Sequence, residues 1–111
     1  GSYVKIGSLV FVSFYLAWNS TTATGTFFVR GLPYPQISTY GTNYNITTGS
    51  VMFNSFTTPY TNGQTLPYIS HAVDYMHFYS SYSTGGWTAV SNNADIQNGS
   101  SLIGGITYRA A

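Results

Sequence analysis

The sequence predicts an all-β domain, a small antiparallel sandwich of jelly-roll-like type, on three observations. Strong helix formers are sparse: Glu is absent and Lys, Gln and Leu are few, while β-branched and aromatic residues dominate. Short apolar runs are separated by clusters of Gly, Pro, Asn and Ser. The breaks recur at roughly 8–12 residues, the spacing of sandwiches and barrels. At 111 residues the chain is expected to be one domain, 1–111, able to bury one core and not two.

Tyr3–Ile6 and Leu9–Trp18 are the first two strands. Gly7 sits in the turn between them, where a tight hairpin needs positive φ. The second strand places Val10, Val12, Phe14, Leu16 and Trp18 on one face and Leu9, Phe11, Ser13, Tyr15 and Ala17 on the other. One apolar face covers the core of the domain. The second largely apolar face needs something else to cover: either a second subunit or a long loop of the same chain. After a polar loop, Asn19 to Gly25, comes a strand over Thr26–Arg30. It ends at Gly31-Leu32-Pro33-Tyr34-Pro35, because proline has no N–H for a ladder. The stretch from Pro33 to Tyr44 is the longest interruption, and loops of that length are often functional. Strands over Ser50–Phe56 and Gln64–Ser70 flank Thr61-Asn62-Gly63, a strong turn signal. Ala72–Ser80, Gly86–Ala89 and Ser101–Arg109 complete the set, with turns at Ser83 to Gly86 and at Asn92 to Gly99.

The composition excludes several partners. Charged residues make up 5% of the chain, against about 25% in ordinary soluble domains, and the net charge is +1. Lys5, Arg30 and Arg109 are too few and too scattered to bind nucleic acid or to form a polybasic membrane patch. No apolar run reaches the roughly 18–20 residues of a spanning helix, and no secretory signal is recognised, so membrane insertion is not expected. Cysteine is absent, which removes disulfides and thiolate metal sites.

The most enzyme-like stretch is SHAVDYMHFYSS, with His71, Asp74 and His77. Read as a strand, it separates the two histidines by about 20 Å at ~3.3 Å per residue, too far for one metal ion. Asp74 and Asp95 are the only carboxylates available for acid–base work, and Asp95 lies in an Asn-rich turn. No nucleophile elbow or phosphate-cradling loop occurs. The expectation is no catalytic residues, no metal and no cofactor. The aromatic residues are more informative. Tyr34, Tyr40, Tyr44, Tyr60, Tyr82 and Trp87 fall in or near predicted loops among Asn, Ser and Thr. Such surfaces suit sugars, because rings stack and hydroxyls bond. Alternatively, these rings cap the ends of the sandwich or fill a seam between subunits.

YVKIGSLVFVSFYLAW followed by GTFFVRGLPYP resembles the C-terminal head domain of bacteriophage tail-fibre and receptor-binding proteins. Tyr3, Ile6, Gly7 and Val10 match the opening strand pair, and Gly25, Val29, Gly31, Leu32, Pro33 and Tyr34 match the segment after it. Asp95, Ile96, Tyr108 and Arg109 match the closing pattern, while residues 35–70 match no motif. The resemblance implies a homotrimeric all-β head on a virion fibre tip, extracellular and contacting a host surface glycan or outer-membrane component. In such a trimer Leu9, Phe11 and Tyr15 would face a neighbouring subunit. The matching motifs are turn and core chemistry, so no receptor-binding residue carries over. Two other readings stay open: a structural trimer cap without a receptor role, and a cell-surface carbohydrate-binding module.

Overall fold

A computed structural model describes residues 1–19, 22, 24–37, 47–56, 64–70, 72–81, 86–90 and 96–111. Every regular element among them is a β-strand: β1 Ser2–Ile6, β2 Leu9–Ala17, β3 Phe28–Arg30, β4 Thr47–Thr48, β5 Ser50–Phe56, β6 Gln64–Ile69, β7 Tyr75–Ser81, β8 Trp87–Ala89 and β9 Ile96–Arg109. They form two antiparallel sheets. The first has the order β1-β2-β9-β5. The second has the order β3-β7-β6-β4, with β8 also pairing β7. The all-β sandwich expected from the sequence is therefore found.

The core is made by alternation. Val10, Phe14, Leu102, Ile106 and Tyr108 point inward from the first sheet and meet Ile69, Met76, Phe78 and Val90 from the second. Phe78 is the hub, with ring centroids 5.4 Å from Phe27, 6.4 Å from Phe53 and 6.5 Å from Phe14. Two glycines are needed for close approach. A Cβ at Gly104 would collide with the Ser50 carbonyl and lie 3.0 Å from the ring of Phe14. Gly49 is where the chain passes from β4 in the second sheet to β5 in the first, and a Cβ there would meet the Gly105 carbonyl. Such corners join the layers of a sandwich.

β9 is the long central strand. It pairs with β2 from Leu9↔Arg109 to Ala17↔Ser101, and with β5 on its other edge. Its C-terminal end is held by Ala110 N–H donating to the Ser8 carbonyl and Ile37 N–H donating to the Arg109 carbonyl. The buried Tyr108 hydroxyl donates to the Tyr34 carbonyl at 2.7 Å.

Gly7 has φ 60°, as the hairpin requires. Two expectations are corrected and one element is added. The strand expected over Ala72–Ser80 begins only at Tyr75, because Ala72 is left-handed (φ 58°) and breaks the extension. The last strand starts at Ile96 rather than Ser101: Gly99, at φ 76°, lies inside the strand instead of ending a turn. The two-residue β4 was not expected, and it is fixed by the Gly49 corner beside it.

Candidate functional site

The sandwich presents two outward faces. On the first sheet, strand register stacks side chains into rows. Ile6, Leu9 and Arg109 form one row, and Val4, Phe11 and Thr107 the next. Ser2, Ser13, Gly105 and Ser50 form a row of small residues, followed by Tyr15, Ile103 and Met52. The small row is a furrow of about 620 Å³, with Ser2 and Ser13 hydroxyls 2.9 Å apart on its floor. Apolar ridges flank it. Leu9 is 42%, Phe11 43% and Tyr15 63% exposed, so the three expected seam residues stand on the outward face. Their strand neighbours Val10 and Phe14 are buried. The second apolar face of β2 is thus real and shares its surface with Val4, Ile6, Ile103 and Met52, all exposed.

The outward face of the second sheet is aromatic. Along β7, Tyr75, His77 and Tyr79 alternate with buried Met76, Phe78 and Ser80. His77 lies opposite Tyr68 on β6 and Phe28 on β3. Its ring centroid is 4.9 Å from Tyr68, 5.4 Å from Tyr79, 5.5 Å from Phe28 and 5.7 Å from Tyr75. Burial among these rings pushes the His77 imidazole below its ordinary range, because the charged form loses hydration. The Arg30 guanidinium lies 5.2 Å over Tyr75 and 5.9 Å over Phe28, a cation–π arrangement at one end of the face. At the other end Trp87, the first residue of β8, is 76% exposed beside its strand partner Ser81. Between Trp87 and Tyr68 lies a cavity of about 190 Å³ lined by Thr48, Leu66, Tyr68, Tyr79, Ser81 and Trp87.

The sequence-predicted aromatic set divides. Tyr40, Tyr44, Tyr60 and Tyr82 lie outside the described residues. Tyr34 is half-buried: its ring meets Tyr3 edge-on at 6.0 Å and carries the Lys5 ammonium 4.4 Å above it. With its carbonyl held by Tyr108, Tyr34 straps the 31–35 segment onto β1 and β9. Trp87 stands on a free surface. Phe28, Tyr68, Tyr75 and Tyr79 were not selected from the sequence, and His77 was weighed only as a metal or acid–base candidate. The signal that finds Tyr68, Tyr75, His77 and Tyr79 is the period-2 alternation of residues 75–80 and 65–69, which sends every second ring outward; Phe28 joins them only through the pairing of β3 with β7.

His71 and Asp95 lie outside the described residues, and residues 72–74 precede β7, so the single strand imagined for His71 to His77 does not form. Among the described residues no group of three or more His, Cys, Asp or Glu could hold a metal ion. Comparison with models of known protein families, with curated proteins and with solved structures returns no match for this chain.

Proposed function

We propose that the domain is a non-enzymatic recognition head. In this reading it assembles with copies of itself, as a homotrimer at a virion fibre tip, and binds a host-surface polysaccharide. The observation that carries the proposal is the pairing of two different outward faces on one small sandwich. One is aliphatic and ridged, and the other is a sheet of aromatic rings interleaved with hydroxyls. A lone soluble domain gains nothing from leaving Val4, Ile6, Leu9, Phe11, Tyr15, Met52 and Ile103 in water. A neighbouring subunit covering them would form an interface like a core cut in half. The near-absence of charge in the chain agrees with this, since charges are depleted from interface centres. The resemblance of both ends of the sequence to fibre-head motifs is what suggests the setting.

A structural cap would share the aliphatic face but has no use for the exposed aromatic one. Adsorption of the domain to host cells, together with a glycan array, separates the two. Saturable binding to a polysaccharide supports the recognition head. A trimer that binds no cell and no glycan would leave the cap as the better reading. Three copies would multiply weak single-site contacts through effective concentration.

A further inference from the structure

The aromatic face has two chemically different ends, and the Trp87 end has the features of a built site. Three cross-strand rows converge there. Gln64, Ser81 and Trp87 form one, Leu66, Tyr79 and Ala89 the next, and Thr48, Tyr68 and His77 the third. Trp87 rises from the edge strand and is the most exposed ring of the face. Tyr68 and Tyr79 are half-buried, 5.1 Å apart and tilted by 58°, and they form its floor. The cavity between them holds about 190 Å³, room for one sugar ring and not for a folded partner.

Charge decides what can occupy it. Among the described residues, none that lines it is an Asp, Glu, Lys, Arg or His. Among the described residues no Asp or Glu belongs to this face. Its cation, Arg30, lies at the far end of β7, about 20 Å away at ~3.3 Å per residue. A charged group seated against these rings would lose water and find no counter-charge. A plain hydrocarbon would gain from the rings but make no use of the hydroxyl groups that Thr48, Ser81, Tyr68 and Tyr79 bring to the lining. An uncharged pyranose uses both, with its C–H face on the rings and its hydroxyls on those of the lining.

We infer that the cavity between Trp87, Tyr79 and Tyr68 binds a neutral sugar residue, stacked by its C–H face on Trp87. The site lies on strands of the second sheet rather than on the loops. This assignment rests on the proposed recognition role and deepens it.

The chain has two tryptophans, so its two indole N–H signals in a nitrogen-15 NMR spectrum report two places. Trp18 is the internal control, half-buried against Phe27 in the core. The full chain is titrated with methyl glycosides of glucose, galactose, mannose and N-acetylglucosamine, and with glucuronate as the charged probe. At least one neutral glycoside should move the Trp87 signal and leave Trp18 in place, with a dissociation constant of about millimolar, as expected for so small a ligand. Trp87→Ala should weaken that binding by about tenfold or more without altering the rest of the spectrum. Tyr79→Phe, which keeps the ring, should retain the stacking. The assignment falls if no neutral glycoside perturbs Trp87, if glucuronate binds as well as the neutral sugars, or if Trp87→Ala binds normally. Host-cell adsorption tells which claim has failed. Adsorption that survives Trp87→Ala puts recognition elsewhere on the domain and leaves the recognition role standing. A wild-type domain that adsorbs to no cell removes both.

Discussion

Replacing Phe11 by Asp should dissociate the proposed trimer while leaving the fold of each subunit in place. Phe11 stands on the outward face of the first sheet, between Val4 and Thr107, with 43% of its surface exposed. At ~2 kcal/mol for a fully buried large side chain, covering that remainder contributes about 1 kcal/mol per subunit. The seven exposed apolar side chains of the face, 42% to 69% uncovered, together contribute about 8 kcal/mol per subunit on the same scale. Association costs about 4–15 kcal/mol in lost freedom, a range that about 8 kcal/mol falls within, so the face must act as a whole and no single residue suffices. Asp at position 11 does more than delete its share. It places a carboxylate in the seam, at a desolvation cost of several kcal/mol. The cation of this row set, Arg109, is a diagonal neighbour at ~7–8 Å rather than a directly opposed partner, so it offsets only part of that cost. The change occurs once in every subunit, so dissociation should strengthen by about 100-fold or more. Light scattering over a dilution series is the assay. Wild type should weigh near three times 12.1 kDa and the variant near 12.1 kDa. Thermal unfolding of the variant should stay cooperative, because position 11 is outside the core. A variant with wild-type mass would refute the placement of Phe11 in a seam. A monomeric wild type would refute the assembly itself.

Three further outcomes test the parts of the fold that hold these faces in place. Tyr108→Phe removes the donor to the buried Tyr34 carbonyl and should cost about 1–3 kcal/mol in urea unfolding; an unchanged midpoint would mean this bond does not hold the 31–35 strap. Gly104→Ala forces a methyl against the Ser50 carbonyl and the Phe14 ring, and should destabilise by about 1–3 kcal/mol or prevent folding; normal stability would show that β5 and β9 have slack the packing denies. His77 should make stability pH-dependent. Its imidazole is held below the ordinary 6.5, so the folded state binds fewer protons than the unfolded. The contribution is complete above pH 6.5 and is lost as pH falls from there through the lowered folded value. His77→Gln should flatten that part of the profile, measured by unfolding at a series of pH values; a slope that persists would assign it to another group.

What the sequence disclosed and what it concealed follow from the range of the interactions involved. Alternation in Leu9–Trp18 displayed both faces of β2, because a strand's period is local and both sets of residues are large. Gly7 disclosed the first hairpin for the same reason: positive φ is a property of a single residue. The corner at Gly49 and the packing of Phe14 over Gly104 were hidden, since each is an encounter between segments far apart in sequence. Gly99 misled because a glycine at positive φ looks alike whether it ends a strand or kinks one. Ala72 misled in the opposite sense, because alanine gives no local warning of a left-handed backbone.

The aromatic face shows how a correct local reading can still miss a site. Tyr75, His77 and Tyr79 were legible as one face of a strand, but their significance depends on β3, β6 and β8 lying beside β7. Only that sheet order brings Phe28, Tyr68 and Trp87 onto the same surface. Loops drew attention because tyrosines there have no core to fill. Strand tyrosines were left out of the candidate set, although every second one cannot reach the core. In a two-layer sandwich each strand has one face inward, so outward rings beyond what solubility tolerates must serve contact. By that reasoning the two outward faces divide the work. In the proposed reading the aliphatic one takes a partner of identical shape, and the aromatic one, fixed on strands, takes a ligand that is itself half apolar and half hydroxyl.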